Sequence, residues 1–239
     1  MRAGPQSCDG RISALLDVPG AWRVVVLLLG LAAGCNNLPP GPVGAVANRA
    51  ALTMPRRGEA YLLRGWRGLW SEGIERLGDE LRGAGVDAEV FRAEQAGELG
   101  DALVVRFGKP GPHVPLVLIG FSYGADDAVQ VAAKLDRAGI RVDLLLTIDP
   151  VTPPPVPANV RECHNYYQSN GALDLFPWLR GIPLKPADGF GPPGRVVNID
   201  IRDHPDLLEP GTSHATIVGN ARLHRVILEE VLRVGAARY

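Results

Sequence analysis

The chain has 239 residues, room for one α/β domain with a sizeable core and too little for two of ordinary size. Its 25 Lys and Arg against 26 Asp and Glu leave a formal charge of −1, which argues against nucleic acid as a partner and against a global attraction to an acidic membrane. Of three cysteines only Cys163 falls inside the expected domain, so the sequence offers neither a disulfide framework nor a metal cluster, and no cofactor is expected.

In chain order, the first feature is an apolar run behind Arg23, residues 24–34, ending at Cys35. It is too short for a spanning helix, which needs about 20 apolar residues, and suits the core of a signal peptide. Leu31-Ala32-Ala33-Gly34-Cys35 resembles a bacterial lipobox, which implies removal of residues 1–34 and a lipid anchor on Cys35. The residue after Cys35 is not Asp, which by analogy with lipoprotein sorting implies the outer membrane, facing the periplasm. Residues 35–57, with Pro39, Pro40, Gly41 and Pro42, read as a Pro/Gly-rich tether, and the folded domain is expected over 58–239.

From Ala60 onward short apolar runs alternate with amphipathic stretches, the pattern of repeated βα units around a mostly parallel sheet. Strands are expected at 61–63, 87–91, 114–119, 142–148 and 196–201. Between and after them, helices carry Ile74, Leu77 and Leu81; Leu99, Leu103 and Phe107; Ala128, Val129, Ala132 and Leu135; and Leu223, Ile227 and Val231. Residues 151–195, rich in Pro and Gly, read as a long excursion with a short helix at 173–179.

The sharpest motif is Gly120-Phe121-Ser122-Tyr123-Gly124, between the most apolar strand and a helix. This is the context a nucleophile elbow requires, with glycines where a side chain would collide. Ser122 is then the nucleophile, and the Tyr123 N–H at the helix start is an oxyanion donor. A second donor is expected from Arg64-Gly65-Trp66-Arg67-Gly68, with the Trp66 N–H as candidate. Arg64 and Arg67 read either as binders of an anionic substrate group or as ordinary solvated arginines.

Serine needs an imidazole to take its proton. Of five histidines, His214 sits in a small-residue turn after the last strand, with His204 as runner-up. For the acid, Asp149 ends the fourth expected strand and Asp203 follows the fifth; placement alone leaves both open.

The elbow, Arg64-Gly65-Trp66 with Trp70-Ser71-Glu72-Gly73-Ile74, Ile148-Asp149-Pro150, Asn165-Tyr166-Tyr167-Gln168 and His214 together resemble small bacterial α/β hydrolases of lipase or thioesterase type. That resemblance implies an α/β-hydrolase fold without a separate cap domain, with Ser122 as nucleophile and His214 as base. Ile148-Asp149-Pro150 is similar to the acid segment of pancreatic-type lipases, which implies Asp149 as acid. Tyr166, Tyr167, Phe176 and Trp178 in the excursion would then line the acyl pocket. The expected activity is hydrolysis of an acyl ester or thioester through an acyl-enzyme. The alternative is a lipid-anchored binding module of the same fold without catalysis.

Overall fold

The computed structural model describes residues 39–48, 58–168, 181–187 and 195–236. Six strands form one sheet: β1 (Glu59–Leu63), β2 (Asp87–Phe91), β3 (Leu116–Phe121), β4 (Leu144–Ile148), β5 (Cys163–Tyr167) and β6 (Val196–Asp200). Their order is β2-β1-β3-β4-β5-β6, and every neighbouring pair is parallel. β1, β3 and β4 are buried along their whole length, and apart from Glu59 and Thr147 their residues are apolar or glycine, as strands covered on both faces require.

Helices α2 (Glu72–Gly83), α3 (Ala96–Phe107), α4 (Tyr123–Arg137) and α5 (Ala221–Ala236) supply that cover. α2 and α5 bury Ile74, Leu77, Leu81, Leu223, Ile227 and Val231 with the strand residues Leu62, Ile119 and Leu146. α3 and α4 bury Leu99, Leu103, Val129 and Leu135 with Tyr61, Leu118 and Leu145. Alternation along each strand thus feeds two cores, one per face.

The strand order reverses between β1 and β3, and the crevice beyond their carboxyl ends is where open parallel sheets bind ligands. The loop after β1 and the elbow after β3 lie at this point.

Two expectations are corrected here. The excursion holds a strand, β5, inserted between β4 and the strand expected as fifth, which is β6. Within the stretch read as tether, α1 (Val43–Ala47) packs on the domain through Val46, which is fully buried. Gln95 grips Gly41 from both sides, accepting its N–H at 2.9 Å and donating to its carbonyl at 3.0 Å. A Cβ on Gly41 would meet Phe91 at 2.3 Å, so the proline-flanked glycine serves close packing rather than freedom. The expected leader, Cys35 and the helix at 173–179 lie outside the described residues.

The amino end of β1, away from the crevice, carries a buried ion pair. Glu59, with no exposed surface, accepts from the Arg106 guanidinium at 2.6 Å and from the Tyr61 hydroxyl at 2.5 Å. Removing one partner strands the other charge, so Arg106→Ala is expected to cost about 3–5 kcal/mol. Urea unfolding measures it, and the double variant Glu59→Gln, Arg106→Met should recover much of the loss.

Candidate active site

Ser122 sits between β3 and α4 at φ 56° and ψ −127°, a conformation that costs a non-glycine residue free energy unless its surroundings enforce it. They do. A Cβ on Gly120 would lie 2.2 Å from the Gly124 carbonyl oxygen, and one on Gly124 would lie 2.2 Å from that of Arg64. The turn can therefore be this tight only with both glycines.

His214 reaches the serine from the loop before α5. Its Nε2 is 2.9 Å from Ser122 Oγ, and its Nδ1 is 3.0 Å from Asp149 Oδ2. Since a carboxylate only accepts, Nδ1 carries the proton and Nε2 is left to accept from the hydroxyl. The ring is wedged by Phe121 at 5.4 Å and by Trp70, edge-on at 6.2 Å between centroids.

Asp149 closes β4, beside β3, at φ 50°. Its other oxygen, Oδ1, accepts the Gln168 N–H at 2.8 Å. Burial pushes the Asp149 carboxyl above its ordinary range, against the pull of the His214 and Gln168 hydrogen bonds. Asp203, the alternative acid, is exposed in the 3-10 turn after β6. It lies two strands beyond β4, about 10 Å farther across the sheet, and the imidazole is bonded to Asp149.

Tyr123 is the first residue of α4, and Trp66 the first of a 3-10 turn, Trp66–Gly68. Neither N–H has an acceptor among the described residues. A Cβ on Gly65 would come within 3.4 Å of Ser122 Cβ, so this loop approaches the nucleophile closely, while the Gly65 N–H is spent on Ser71 Oγ at 3.1 Å.

The structure separates the two tyrosines. Tyr166 is fully buried against α5, its hydroxyl donating to Glu230 at 2.5 Å, so it belongs to the core. Successive strand residues face opposite ways, which leaves half-buried Tyr167 as the one that can flank the site. Phe176 and Trp178 lie outside the described residues. Arg64 is neither anion binder nor solvated: it is buried, paired with Glu75, and donates to the Pro39 carbonyl at 2.8 Å.

Three contributors receive no role from the sequence: Trp70 and the Gln168 N–H, whose segments carry the resemblance, and Gly181, where a Cβ would meet Asp149 Oδ1 at 2.1 Å. A glycine between Arg180 and Ile182 is the only trace the last leaves in the sequence. A parallel sheet with helices on both faces, a strained serine on the strand-to-helix elbow and a histidine on the final loop decide the architecture. The chain has the α/β-hydrolase fold.

No family model matches the sequence, nor does any curated protein. Among solved structures the chain is similar to a type II thioesterase from the yersiniabactin NRPS/PKS biosynthetic pathway, at 11% identity and a TM-score of 0.45, over 78% of this chain and 97% of that one. It is also similar to a protein described as a hydrolase of the α/β superfamily from Xanthomonas campestris pv. campestris, at 16% identity and a TM-score of 0.38, over 72% and 99% of the two chains. A dienelactone hydrolase from Anabaena variabilis matches at 14% identity and a TM-score of 0.39, over 72% and 84%.

Two carboxyls on the elbow helix add a pH signature. Burial lifts Asp126 to about 6 against the hydrogen bonds it accepts, and burial with neighbouring Asp126 and Glu94 lifts Asp127 to about 6. Between pH 3.8 and about 6 the folded chain therefore holds protons that the unfolded chain has released. The contribution of these two groups to stability falls as pH rises through that window. Melting temperature against pH should show the decline, and Asp126→Asn with Asp127→Asn should flatten it.

Proposed function

We propose that the chain is a serine hydrolase that cleaves an acyl ester or thioester through an acyl-enzyme intermediate. The observation that carries this reading is the unbroken relay from Ser122 Oγ to His214 Nε2 and from His214 Nδ1 to Asp149, at 2.9 and 3.0 Å. His214 takes the Ser122 proton as Oγ attacks the carbonyl, and Asp149 steadies the imidazolium that forms. The oxyanion is received by the Tyr123 N–H, aided by the α4 N-terminus, and by the Trp66 N–H. His214 then protonates the leaving alcohol or thiol, and water repeats the sequence on the acyl-enzyme. Tyr167 flanks the acyl group.

A fluorophosphonate probe, which traps an activated serine, should label the protein on the peptide containing Ser122. A panel of acyl esters and thioesters of graded length then defines the substrate. A folded protein that takes no label would favour the non-catalytic binding module.

The proposal extends to location. The apolar run and the Leu31-Ala32-Ala33-Gly34-Cys35 segment support a mature chain that begins at lipid-bearing Cys35, held at the cell envelope on the outer membrane and facing the periplasm. Intact mass of the native protein tests it. A form that keeps Met1, or starts elsewhere without lipid, overturns the anchor.

A further inference from the structure

Asp149 occupies a strained turn at φ 50°, and Pro150 after it has no N–H with which to fasten the chain. The incoming side is fixed by the sheet, through Asp149 N–H to the Tyr166 carbonyl at 2.9 Å and Ser122 N–H to the Ile148 carbonyl at 2.9 Å. On the outgoing side the Pro150 carbonyl accepts the Ile182 N–H at 3.1 Å, and one side chain binds the two residues that follow. Asp126 Oδ1 accepts the Val151 N–H at 2.9 Å, while Oδ2 accepts the Thr152 N–H at 2.8 Å and the Thr152 hydroxyl at 3.1 Å.

Asp126 stands one helical turn after Ser122, its N–H directed to the Ser122 carbonyl, and is only 4% exposed. A carboxylate in the first turn of a helix is ordinarily explained by the helix dipole. That explanation needs no partner from another element, yet all three donors come from the two residues that follow Asp149-Pro150. Only an ionised carboxylate satisfies three donors with acceptors alone; an amide would turn an N–H₂ toward a backbone N–H.

We propose that Asp126 is a positioning residue that clamps the turn bearing Asp149 to the helix bearing Ser122, fixing the acid where His214 can bridge both. It moves no proton and touches no substrate. The inference rests on the serine-hydrolase reading of the same site.

The test compares Asp126→Asn with Asp143→Asn and Asp149→Asn at a pH well above 6, where Asp126 is ionised. Asp143 is equally buried but lies before the other end of β4, holding the Leu116 N–H at 3.0 Å, so its variant reports destabilisation without disturbing the site. Asp126→Asn is expected to lower kcat about 10- to 100-fold with KM nearly unchanged, as a displaced catalytic group does. Asp143→Asn should lower the melting temperature and leave kcat alone.

Because Asp126 acts through Asp149, the double variant Asp126→Asn, Asp149→Asn should be no slower than Asp149→Asn by itself. The low-field NMR resonance of the His214 Nδ1 proton should shift or broaden in Asp126→Asn and persist in Asp143→Asn. If Asp126→Asn does not fold, Thr152→Val, which deletes one donor and keeps the shape, should show a smaller loss of the same kind. Wild-type kcat in a folded Asp126→Asn, additive losses in the double variant, or an unchanged low-field proton would each overturn the clamp. Absence of fluorophosphonate labelling in the wild type would instead overturn the hydrolase reading, and the NMR signal would still decide whether Asp126 holds Asp149.

Discussion

Ser122→Ala should yield a folded protein that takes up no fluorophosphonate and hydrolyses activated esters on the order of 10⁶-fold more slowly, as for serine hydrolases stripped of their nucleophile. Alanine fits the elbow because Ser122 Cβ is already accommodated at φ 56°, and the glycines that permit the turn are untouched. What disappears is the hydroxyl that His214 contacts at 2.9 Å. The residual rate comes from substrate binding and the oxyanion donors alone. Mass spectrometry of the probe adduct, circular dichroism and ester turnover read the three parts of this expectation separately. Undiminished turnover by the folded variant would place the chemistry elsewhere.

The second large effect belongs to Asp149→Asn. The amide preserves the volume and can still meet the Gln168 N–H through its oxygen, but it offers His214 an N–H₂ in place of an acceptor. The imidazole then favours the tautomer with its proton on Nε2, pointed at the serine that must lose one. Turnover should fall by about 10⁴, the loss seen when a serine protease suffers the same exchange. Asp203→Asn should behave like wild type, since Asp203 is exposed beyond β6. Equal damage from both, or damage from Asp203→Asn alone, would reverse the assignment.

Much of this arrangement was legible in the residues. Gly120-Phe121-Ser122-Tyr123-Gly124 marks the elbow because backbone sterics allow few other residues there, and the apolar runs of β1, β3 and β4 announce strands buried on both faces. β5 was missed for an equally physical reason. Cys163-His164-Asn165-Tyr166-Tyr167 lacks an apolar run, yet Asn165 is fully buried because its polarity is satisfied sideways: it accepts the Thr147 hydroxyl at 2.9 Å and donates to Asn198 at 2.8 Å and the Ile182 carbonyl at 2.9 Å. A polar ladder across β4, β5 and β6 does what aliphatic packing does elsewhere, and hydropathy cannot see it.

Arg64 was misjudged in the same way. It looks like surface chemistry until its distant partners, Glu75 and the Pro39 carbonyl, are known. Choosing between Asp149 and Asp203 likewise depends on which strand adjoins β3, a matter of sheet order that one-dimensional pattern does not carry.

The neighbouring placement of β3 and β4 also sets the order in which heat dismantles the site. Ser122 and Asp149 end adjacent strands of the buried ladder, so their spacing survives until the sheet itself parts. His214 rides on a loop fastened from outside, by His224 Nε2 to the Val218 carbonyl at 2.7 Å and Asn220 to the Leu207 carbonyl at 2.7 Å. The base can therefore leave before the nucleophile and the acid do. Warming should bring an inactive state whose sheet is intact, and cooling should restore activity from it without refolding.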